Sequence, residues 1–291
     1  MISDLSRFNS LANSLDLVSS NLQQVQQQLA TGKRVNAPSD DPVAYAQAAS
    51  LAAEESAASN DSSLGTQIQS RLNTINGAFT AAINAISSAI TTATQGADGT
   101  ISASQMAALA TQVQGTLQQL VSAANQQYMN AYVFAGNQSL TVPFSTAGAY
   151  SGDSGGNSLT FSNGVTAQIS FDGREIFGDN TGGAIGAMQN LVNALRTGNQ
   201  AAVSATLPQL QTALETVANA QATLGASLNT VNGVVSNANS QVISLTSAIS
   251  TLTDADIAAM STNESQDQLQ QEALVSLASN LAKTPLVNVT A

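Results

Sequence analysis

The residues with the clearest chemical potential lie together in the stretch LATGKRVNAPSDDPVAYAQA, residues 29–48. Two adjacent carboxylates, Asp40 and Asp41, could bind a metal ion or act as general acid and general base. Lys33 and Arg34 form the only Lys-Arg pair of the chain and could bind an anion. The stretch could therefore be a catalytic loop, a linker or a contact point for a partner.

Helix capping explains the same residues without a ligand. Asp41 is a favourable N-cap, and Pro42 suits the first position of a helix. Gly32 is typical of a helix end, where Lys33 and Arg34 would lie beside the negative end of the helix dipole. No third metal ligand lies nearby in the sequence. We therefore interpret the stretch as the end of one helix, a turn and the start of another.

Composition excludes several functional classes. The 291-residue chain contains neither Cys nor His, which removes thiol nucleophiles, Ser-His triads and the usual zinc sites. We therefore predict a protein that is not an enzyme and has no cofactor. The net charge is −11 with only seven Lys and Arg residues, so we expect no nucleic acid partner. No apolar run reaches membrane-spanning length, so we expect no membrane insertion. The first residues lack an ordinary secretory signal, so any export would follow another route.

Apolar residues recur at heptad spacing along most of the chain, which predicts long helices packed side by side. Helices are predicted up to Gly32 and over about residues 42–94, 102–134, 183–196 and 256–281. The longest pattern keeps one heptad phase from 203 to 252, and Gln221 is its only polar member. The seam of the first helix consists of Leu11, Leu15, Val18, Leu22, Val25 and Leu29.

The composition changes near residue 136, where Gly, Ser, Asn and Thr become dense. The segment SLTFSNGVTAQISF has alternating apolar residues on both sides of Asn163-Gly164. Asn-Gly is a strong hairpin signal because both central residues of a type I′ turn need a positive φ. We therefore predict a small β-rich insert over residues 137–180.

These patterns predict a mainly α protein. We expect an elongated antiparallel helical bundle or coiled coil formed by the N- and C-terminal segments, with a small β-rich central insert. The long helix over 203–252 has antiparallel partners available within the chain, whereas the apolar seams at the two ends have no obvious ones. A seam without an internal partner is typical of an interface with another molecule. The predicted segments are terminal assembly helices at 1–40 and 254–291, two parts of the helical bundle at 41–136 and 183–253, and an outward insert at 137–182.

The stretch at residues 29–48 resembles the N-terminal signature of the bacterial flagellin and hook-associated protein family, in which a heptad helix runs into a turn and a second helix. The C-terminal half agrees with this resemblance. LGASLNTVN at 224–232 resembles the start of the family's long return helix, and DQLQQEALVSLASNLAK at 267–283 resembles its closing helix. The final residues, PLVNVTA, lack the family's usual Leu-rich end. The residues that match the signature are Thr31, Gly32, Lys33, Arg34, Asn36, Ser39, Asp40, Asp41 and Pro42.

Two central segments favour one branch of this family. YVFAGNQSLTVPF at 132–144 and FDGREIF at 171–177 resemble the members that join the flagellar hook to the filament. The resemblance implies a structural subunit at that junction. Two alternatives remain open: flagellin, the bulk subunit of the filament, and, from another class, a secreted coiled-coil adhesin or translocon-like protein.

The resemblance also implies a location and a set of partners. The protein would be extracellular, exported by the flagellar type III system without a cleaved signal peptide. Its partners would be hook-associated protein 1, flagellin, a flagellar export chaperone and copies of itself in a ring or tube. The residues expected at the assembly interface are Leu11, Leu15, Val18, Leu22, Val25, Leu29, Lys33, Arg34, Asp40, Asp41, Leu274, Leu277 and Leu281.

Overall fold

The computed structural model describes residues 2–156 and 158–283, and it describes side chains over residues 6–156 and 158–280. Within these residues the chain forms seven helices and four short strands. A mainly α protein with a small β-rich insert is thereby confirmed. The elements are α1 Ile2–Thr31, α2 Pro42–Gly96, α3 Ala103–Ala124, β1 Gln127–Tyr128, β2 Ala131–Tyr132, β3 Ser158–Thr160, β4 Thr166–Gln168, α4 Gly173–Phe177, α5 Gly183–Arg196, α6 Gln200–Thr253 and α7 Ile257–Lys283.

The chain divides into two compact units. The terminal unit comprises Met1–Ala57 and Gln241–Ala291, and the central unit comprises Ala58–Ser240. The two long helices α2 and α6 contribute residues to both units. The finer division into five segments stays a prediction.

In the central unit, α2 and α6 run antiparallel, as the long heptad pattern predicted. Ser62 lies opposite Asn239, with 2.7 Å between the hydroxyl and amide oxygens. Farther along the pair, the Gln221 amide donates to the Asn76 side-chain oxygen at 3.0 Å and to the Thr80 hydroxyl at 3.2 Å. The single polar member of the heptad seam is therefore hydrogen-bonded to the facing helix, which offsets the cost of placing an amide among apolar residues.

The core of the central unit is completed by α3 and α5, which pack against each other. The α5 bounds agree with the predicted range of 183–196. Its predicted inward residues are fully enclosed because they recur at the helical period on one face. They are Ile185, Met188, Leu191 and Leu195.

Phenylalanines fill the region where the helices meet the insert. The Phe79 ring of α2 lies 5.5 Å from the rings of both Phe134 and Phe171 and 6.2 Å from that of Phe177. Phe134 and Phe177 meet edge to face at 4.9 Å, a favoured aromatic geometry. Most of the phenylalanines of this chain therefore lie in one cluster, which attaches the insert to the helices.

The prediction that the third helix extends to residue 134 is wrong. Helix α3 ends at Ala124, and β1 and β2 form a hairpin directly after it. The Asn125 side chain makes two bonds with the backbone of Phe144, donating to its carbonyl and accepting from its N–H. At the hairpin turn, Met129 and Asn130 have φ of 49° and 63°. These tertiary contacts and left-handed residues override an apolar pattern that also suits a helix.

The hairpin predicted around Asn163-Gly164 is confirmed, but its turn differs from the expected one. Strands β3 and β4 are antiparallel, with Leu159 paired to Ala167. Only Gly164 has a positive φ, +79°, whereas a type I′ turn needs two such residues. The Phe161 N–H donates to the Val165 carbonyl at 2.9 Å and closes a longer loop. The short helix α4, which the apolar pattern did not reveal, follows at its N-cap Asp172.

The terminal unit is built mainly on α1 and α7, which pack along each other in antiparallel orientation. The Ala255 N–H, just before α7, donates to the carbonyl of Gly32, just after α1, at 3.0 Å. Few apolar side chains are buried in this unit, in contrast with the central one. Among its described side chains, the buried apolar ones are Val18, Val35, Ala44 and Ala48.

Candidate assembly site

The turn after α1 is attached to the turn after α6. Helix α1 ends at Thr31, and Gly32 has a φ of +70°, a conformation that glycine adopts at helix ends without steric cost. The Thr31 hydroxyl accepts from the Lys33 N–H at 3.2 Å. A backbone bridge then joins Lys33 to Asp254. Residues 32–35, which the sequence placed between two helices, thus also contact the end of a third.

Arg34 is the centre of this contact. Its N–H donates to the Thr253 carbonyl at 2.7 Å, and its Nη2 donates to the Leu252 carbonyl at 2.8 Å. The Val35 N–H also donates to the Thr253 carbonyl, at 3.2 Å. Carbonyls in the last turn of a helix have no partner within that helix, so Arg34 caps α6. We expected Lys33 and Arg34 to complement the dipole of α1. This was wrong for Arg34, because its guanidinium binds a carbonyl oxygen at the end of α6.

The two adjacent aspartates have different structural tasks. Asp41 caps α2, because its Oδ1 accepts from the Ala44 N–H at 3.0 Å, and its Oδ2 lies 3.2 Å from Nη1 of Arg34. Asp40 closes the preceding turn, because its Oδ2 accepts from the N–H groups of Asn36 and Ala37, both at 2.9 Å. The predicted capping by Asp41 is confirmed.

The same contacts favour the charged form of both carboxyls. The Ala37 N–H, followed by that of Asn36, lowers the pKa of Asp40. The Ala44 N–H, followed by the Arg34 side chain, lowers the pKa of Asp41. Both shifts arise from hydrogen bonds to a carboxylate, so both carboxylates already have local hydrogen-bond partners.

Among the described residues, no group of three or more Asp, Glu, His or Cys could hold a metal ion.

Two residues that the sequence did not single out complete the turn. Gln28, on α1, is buried and donates through Nε2 to the Arg34 carbonyl at 2.9 Å. Val35 is buried beside it, 4% exposed. A glutamine within an apolar heptad region gives no distinctive signal, and only the fold shows that its amide meets a backbone oxygen. We refer to Gln28, Arg34, Val35, Asp41 and Thr253 as the helix clasp.

The predicted seam of α1 faces α7. Val18 is buried, and the other five seam residues from Leu11 to Leu29 are half-buried. The Gln26 amide reaches the Glu264 carboxylate of α7 at 3.5 Å. The seam therefore has an internal partner, although the sequence offered no obvious one.

The interface residues predicted on α7 differ in how far they are exposed. Leu274 is half-buried, whereas Leu277 is 58% exposed. The side chain of Leu281 lies outside the described residues. Leu269, which the sequence pattern did not single out, is 66% exposed and lies eight residues before Leu277 on α7. Lys33 is also exposed, and its backbone forms a bridge with Asp254, the residue after α6.

Exposed apolar side chains also occur on α1, where Leu17 is 65% exposed and Phe8 is 51% exposed. Together with Leu269 and Leu277 they form what we call the outer apolar residues of the terminal unit.

No helix in the described part of the chain is long and apolar enough to cross a membrane.

Comparison with known families gives two matches. Residues 2–139 match the bacterial flagellin N-terminal helical region. Residues 207–289 match the bacterial flagellin C-terminal helical region. The two matches together cover most of the chain and include α1, the helix clasp and α7.

Two curated relatives carry the name flagellar hook-associated protein 3. The relative from Salmonella typhimurium is 32% identical over 161 residues, which are 55% of this chain and 51% of the relative. This match therefore spans about half the length of that relative. The relative from Escherichia coli is 28% identical over 255 residues, covering 79% of this chain and 80% of the relative.

Solved structures with a similar fold have lower identities. A putative flagellar hook-associated protein from Vibrio parahaemolyticus has a TM-score of 0.67 at 19% identity, covering 73% of this chain and 99% of that one. Flagellar hook associated protein-3 from Legionella pneumophila has a TM-score of 0.60 at 15% identity, with coverages of 72% and 98%. Bacillus cereus FlgL has a TM-score of 0.59 at 17% identity, with coverages of 72% and 100%. These likenesses show a shared fold.

Proposed function

Because this chain belongs to the bacterial flagellin family, we propose that it is a structural subunit that joins the flagellar hook to the flagellin filament. The observation that carries the proposal is the similarity to hook-associated protein 3 of E. coli over 79% of the chain. The name of that relative places it with the hook. The neighbours at the junction would be hook-associated protein 1 on the hook side and flagellin on the filament side.

We infer that assembly occurs through the terminal unit. Its outer apolar residues include Leu17, Leu269 and Leu277, all more than half exposed. Large exposed apolar side chains in an assembling protein are candidates for burial against a partner. In a ring or tube of identical subunits, neighbouring copies would cover these side chains. The seam from Leu11 to Leu29 would pack against α7 of the same subunit, and its half-buried members, together with Leu274 and Leu281, would be covered further by neighbouring subunits.

The helix clasp would hold the assembling helices in a fixed orientation. Arg34 joins the turn after α1 to the last carbonyls of α6, and Asp41 joins the same guanidinium to the start of α2. Three helix ends of the terminal unit are therefore linked through one residue. Lys33, whose side chain is exposed, would contact a neighbouring subunit.

The proposed route to the cell exterior follows from the family. We infer export through the flagellar type III system, without a cleaved signal peptide and with the help of an export chaperone. Few of the described apolar side chains of the terminal unit are buried, which suits helices that are only marginally stable until subunits meet. Such coupled folding would prevent premature polymerisation. We propose a purely structural role, with no catalytic one, because the aspartates of the clasp and its turn already accept backbone hydrogen bonds.

The nearest alternative is flagellin, since the two matched family regions are named after it. The YVFAGNQSLTVPF and FDGREIF segments favour the junction role over flagellin. In the structure, they supply Phe134, Phe144, Phe171 and Phe177 to the aromatic cluster. A secreted adhesin or translocon-like protein is disfavoured by the family membership.

Immunogold labelling of isolated hook–filament preparations tests the proposal. Gold-labelled antibody against this protein should give a narrow band where the filament meets the hook. An antibody against the flagellin of the same cells is the matched control and should label the whole filament. Labelling along the filament by the first antibody would make this protein a flagellin, and absence of label on both structures would refute a flagellar role.

A further inference from the structure

The chain contains the dipeptide Asn-Gly three times, at Asn76-Gly77, Asn163-Gly164 and Asn232-Gly233. In this dipeptide the backbone nitrogen of glycine can attack the side-chain amide carbon of asparagine. Glycine is the most permissive partner because it lacks a Cβ that would obstruct the approach. The local chemistry is the same in all three pairs, so the fold decides which of them can react.

Two of the pairs lie inside the long helices α2 and α6. Helical backbone fixes φ and ψ and places the glycine N–H in the hydrogen-bond ladder. Each asparagine side chain is also held by the facing helix: Asn76 Oδ1 accepts from Gln221, and Asn232 Oδ1 accepts from Gln69. Attack in these pairs requires the helix to open and the interhelical bond to break.

The third pair lies at the exposed end of the β3–β4 hairpin. Asn163 and Gly164 are both exposed. The Gly164 N–H donates one backbone bond, to the Phe161 carbonyl at 2.9 Å. Opening this single turn bond frees the nitrogen, and no helix has to unfold.

The Asn163 amide is oriented by its own loop. Its Oδ1 accepts from the Val165 N–H at 3.0 Å. During attack on the amide carbon, negative charge develops on this oxygen. A backbone N–H that already points at the oxygen stabilises such charge without reorganisation. The loop therefore presents both a releasable nucleophile and a donor for the developing charge.

From this geometry we propose that Asn163 is a site of spontaneous deamidation in the folded protein. The Gly164 nitrogen loses its proton to solvent and forms a bond to the Asn163 side-chain carbon. The bond from that carbon to the amide nitrogen breaks, and ammonia leaves with a proton from solvent. Water then opens the resulting succinimide at either carbonyl, which gives aspartate or isoaspartate. No oxidant, metal or enzyme takes part.

The modification would affect the attachment of the hairpin. Ser162 donates to the Asp61 carboxylate of α2 through both its N–H, at 3.4 Å, and its hydroxyl. A new carboxylate at position 163 changes the net charge from −11 to −12 and lies one residue from this contact. Like charges repel at short range, and isoaspartate also lengthens the backbone of the loop. We expect the Ser162–Asp61 contact to loosen in the modified protein.

The test is incubation of the full-length protein at mildly alkaline pH, followed by peptide mapping with mass spectrometry and isoaspartate detection. Asn163 should convert at least about tenfold faster than Asn76 or Asn232, because a helix-opening cost of ~1.4 kcal/mol already slows a reaction tenfold. The two helical pairs in the same sample serve as matched controls. Equal rates at all three sites in the folded protein would overturn the proposal.

Two further measurements distinguish the effect of the fold on the deamidation rate from the effect of the local sequence. In urea-unfolded protein the three pairs should convert at similar rates, and persistence of the tenfold difference there would contradict the structural argument. The variant Asn163→Gln should lose the isoaspartate signal at the hairpin while keeping the melting temperature of the parent. Isoaspartate in that variant at the parental level would place the reactive site elsewhere.

Discussion

The guanidinium Nη2 of Arg34 donates to the carbonyl oxygen of Leu252 at 2.8 Å, although 218 residues separate them along the chain. The bond connects the turn after α1 with the last turn of α6. It lies in the terminal unit, where few of the side chains that the structure describes are buried apolar ones. Because so few apolar side chains are buried there, we expect polar contacts such as this one to contribute to the stability of the unit.

Replacement of Arg34 by Ala should destabilise the terminal unit by about 1–2 kcal/mol. The variant loses charge-assisted bonds to Leu252 and Asp41. Because the side chain is partly exposed, solvent reduces the free energy that these bonds contribute to folding. Denaturant unfolding followed by circular dichroism measures the change. Lys33→Ala is the matched control and should stay within about 0.5 kcal/mol. Equal effects of the two substitutions would contradict the clasp.

Acid should weaken the clasp in a defined direction. The folded-state pKa values of Asp40 and Asp41 lie below the ordinary 3.8. A lowered pKa contributes stability that is present above pH 3.8 and is lost as the pH falls through the folded-state value. Asp41→Asn should therefore flatten the acid limb of the stability–pH curve. An unaltered limb in Asp41→Asn would refute this role.

Truncation of Phe79 to Ala should cost about 3–5 kcal/mol of the central unit's stability. The ring is fully buried and contacts three other phenylalanines, so its removal leaves a cavity among them. Thermal unfolding of the variant measures the loss. Phe79→Leu, which retains much of the side-chain volume, should lose less stability than Phe79→Ala. A change below about 1 kcal/mol in Phe79→Ala would show that the cluster can collapse around the gap.

Substitution of Leu269 and Leu277 by Gln should prevent assembly without unfolding the subunit. Both side chains are more than half exposed, so their replacement should change monomer stability by less than about 0.5 kcal/mol. Motility and electron microscopy of cells that carry the variant report on junction assembly. Leu140→Gln, which alters an 84% exposed leucine of the central unit, is the control. Normal filaments in the double variant would exclude these residues from the interface.

Hydrogen exchange of the free monomer should be fast in α1 and α7 and slow in α3 and α5. Amides exchange slowly where opening exposes a large buried core, and the terminal unit has a small one. Mass spectrometry of peptides from residues 6–29 and 184–195 compares the two directly. Strong protection over 6–29 would refute coupled folding and assembly.

The sequence by itself determined the family, most of the long helices and part of the local capping. The TGKRVNAPSDDP stretch indicated a family that the matched N-terminal helical region confirms. Helix α5 and the N-cap Asp41 were predicted correctly because period and cap chemistry are properties of neighbouring residues. The absence of His and Cys likewise narrowed the possible chemistry, because it depends on residue types alone.

Tertiary structure decided the features that depend on distant partners. Helix α3 ends at Ala124 because Asn125 bonds to the backbone of Phe144, a contact that no local pattern encodes. Arg34 caps α6 instead of α1, and the buried amide of Gln28 meets the Arg34 carbonyl. Three Asn-Gly pairs of identical sequence also acquire different environments. Period and propensity are local, whereas hydrogen-bond partners and burial are fixed only when remote segments pack together.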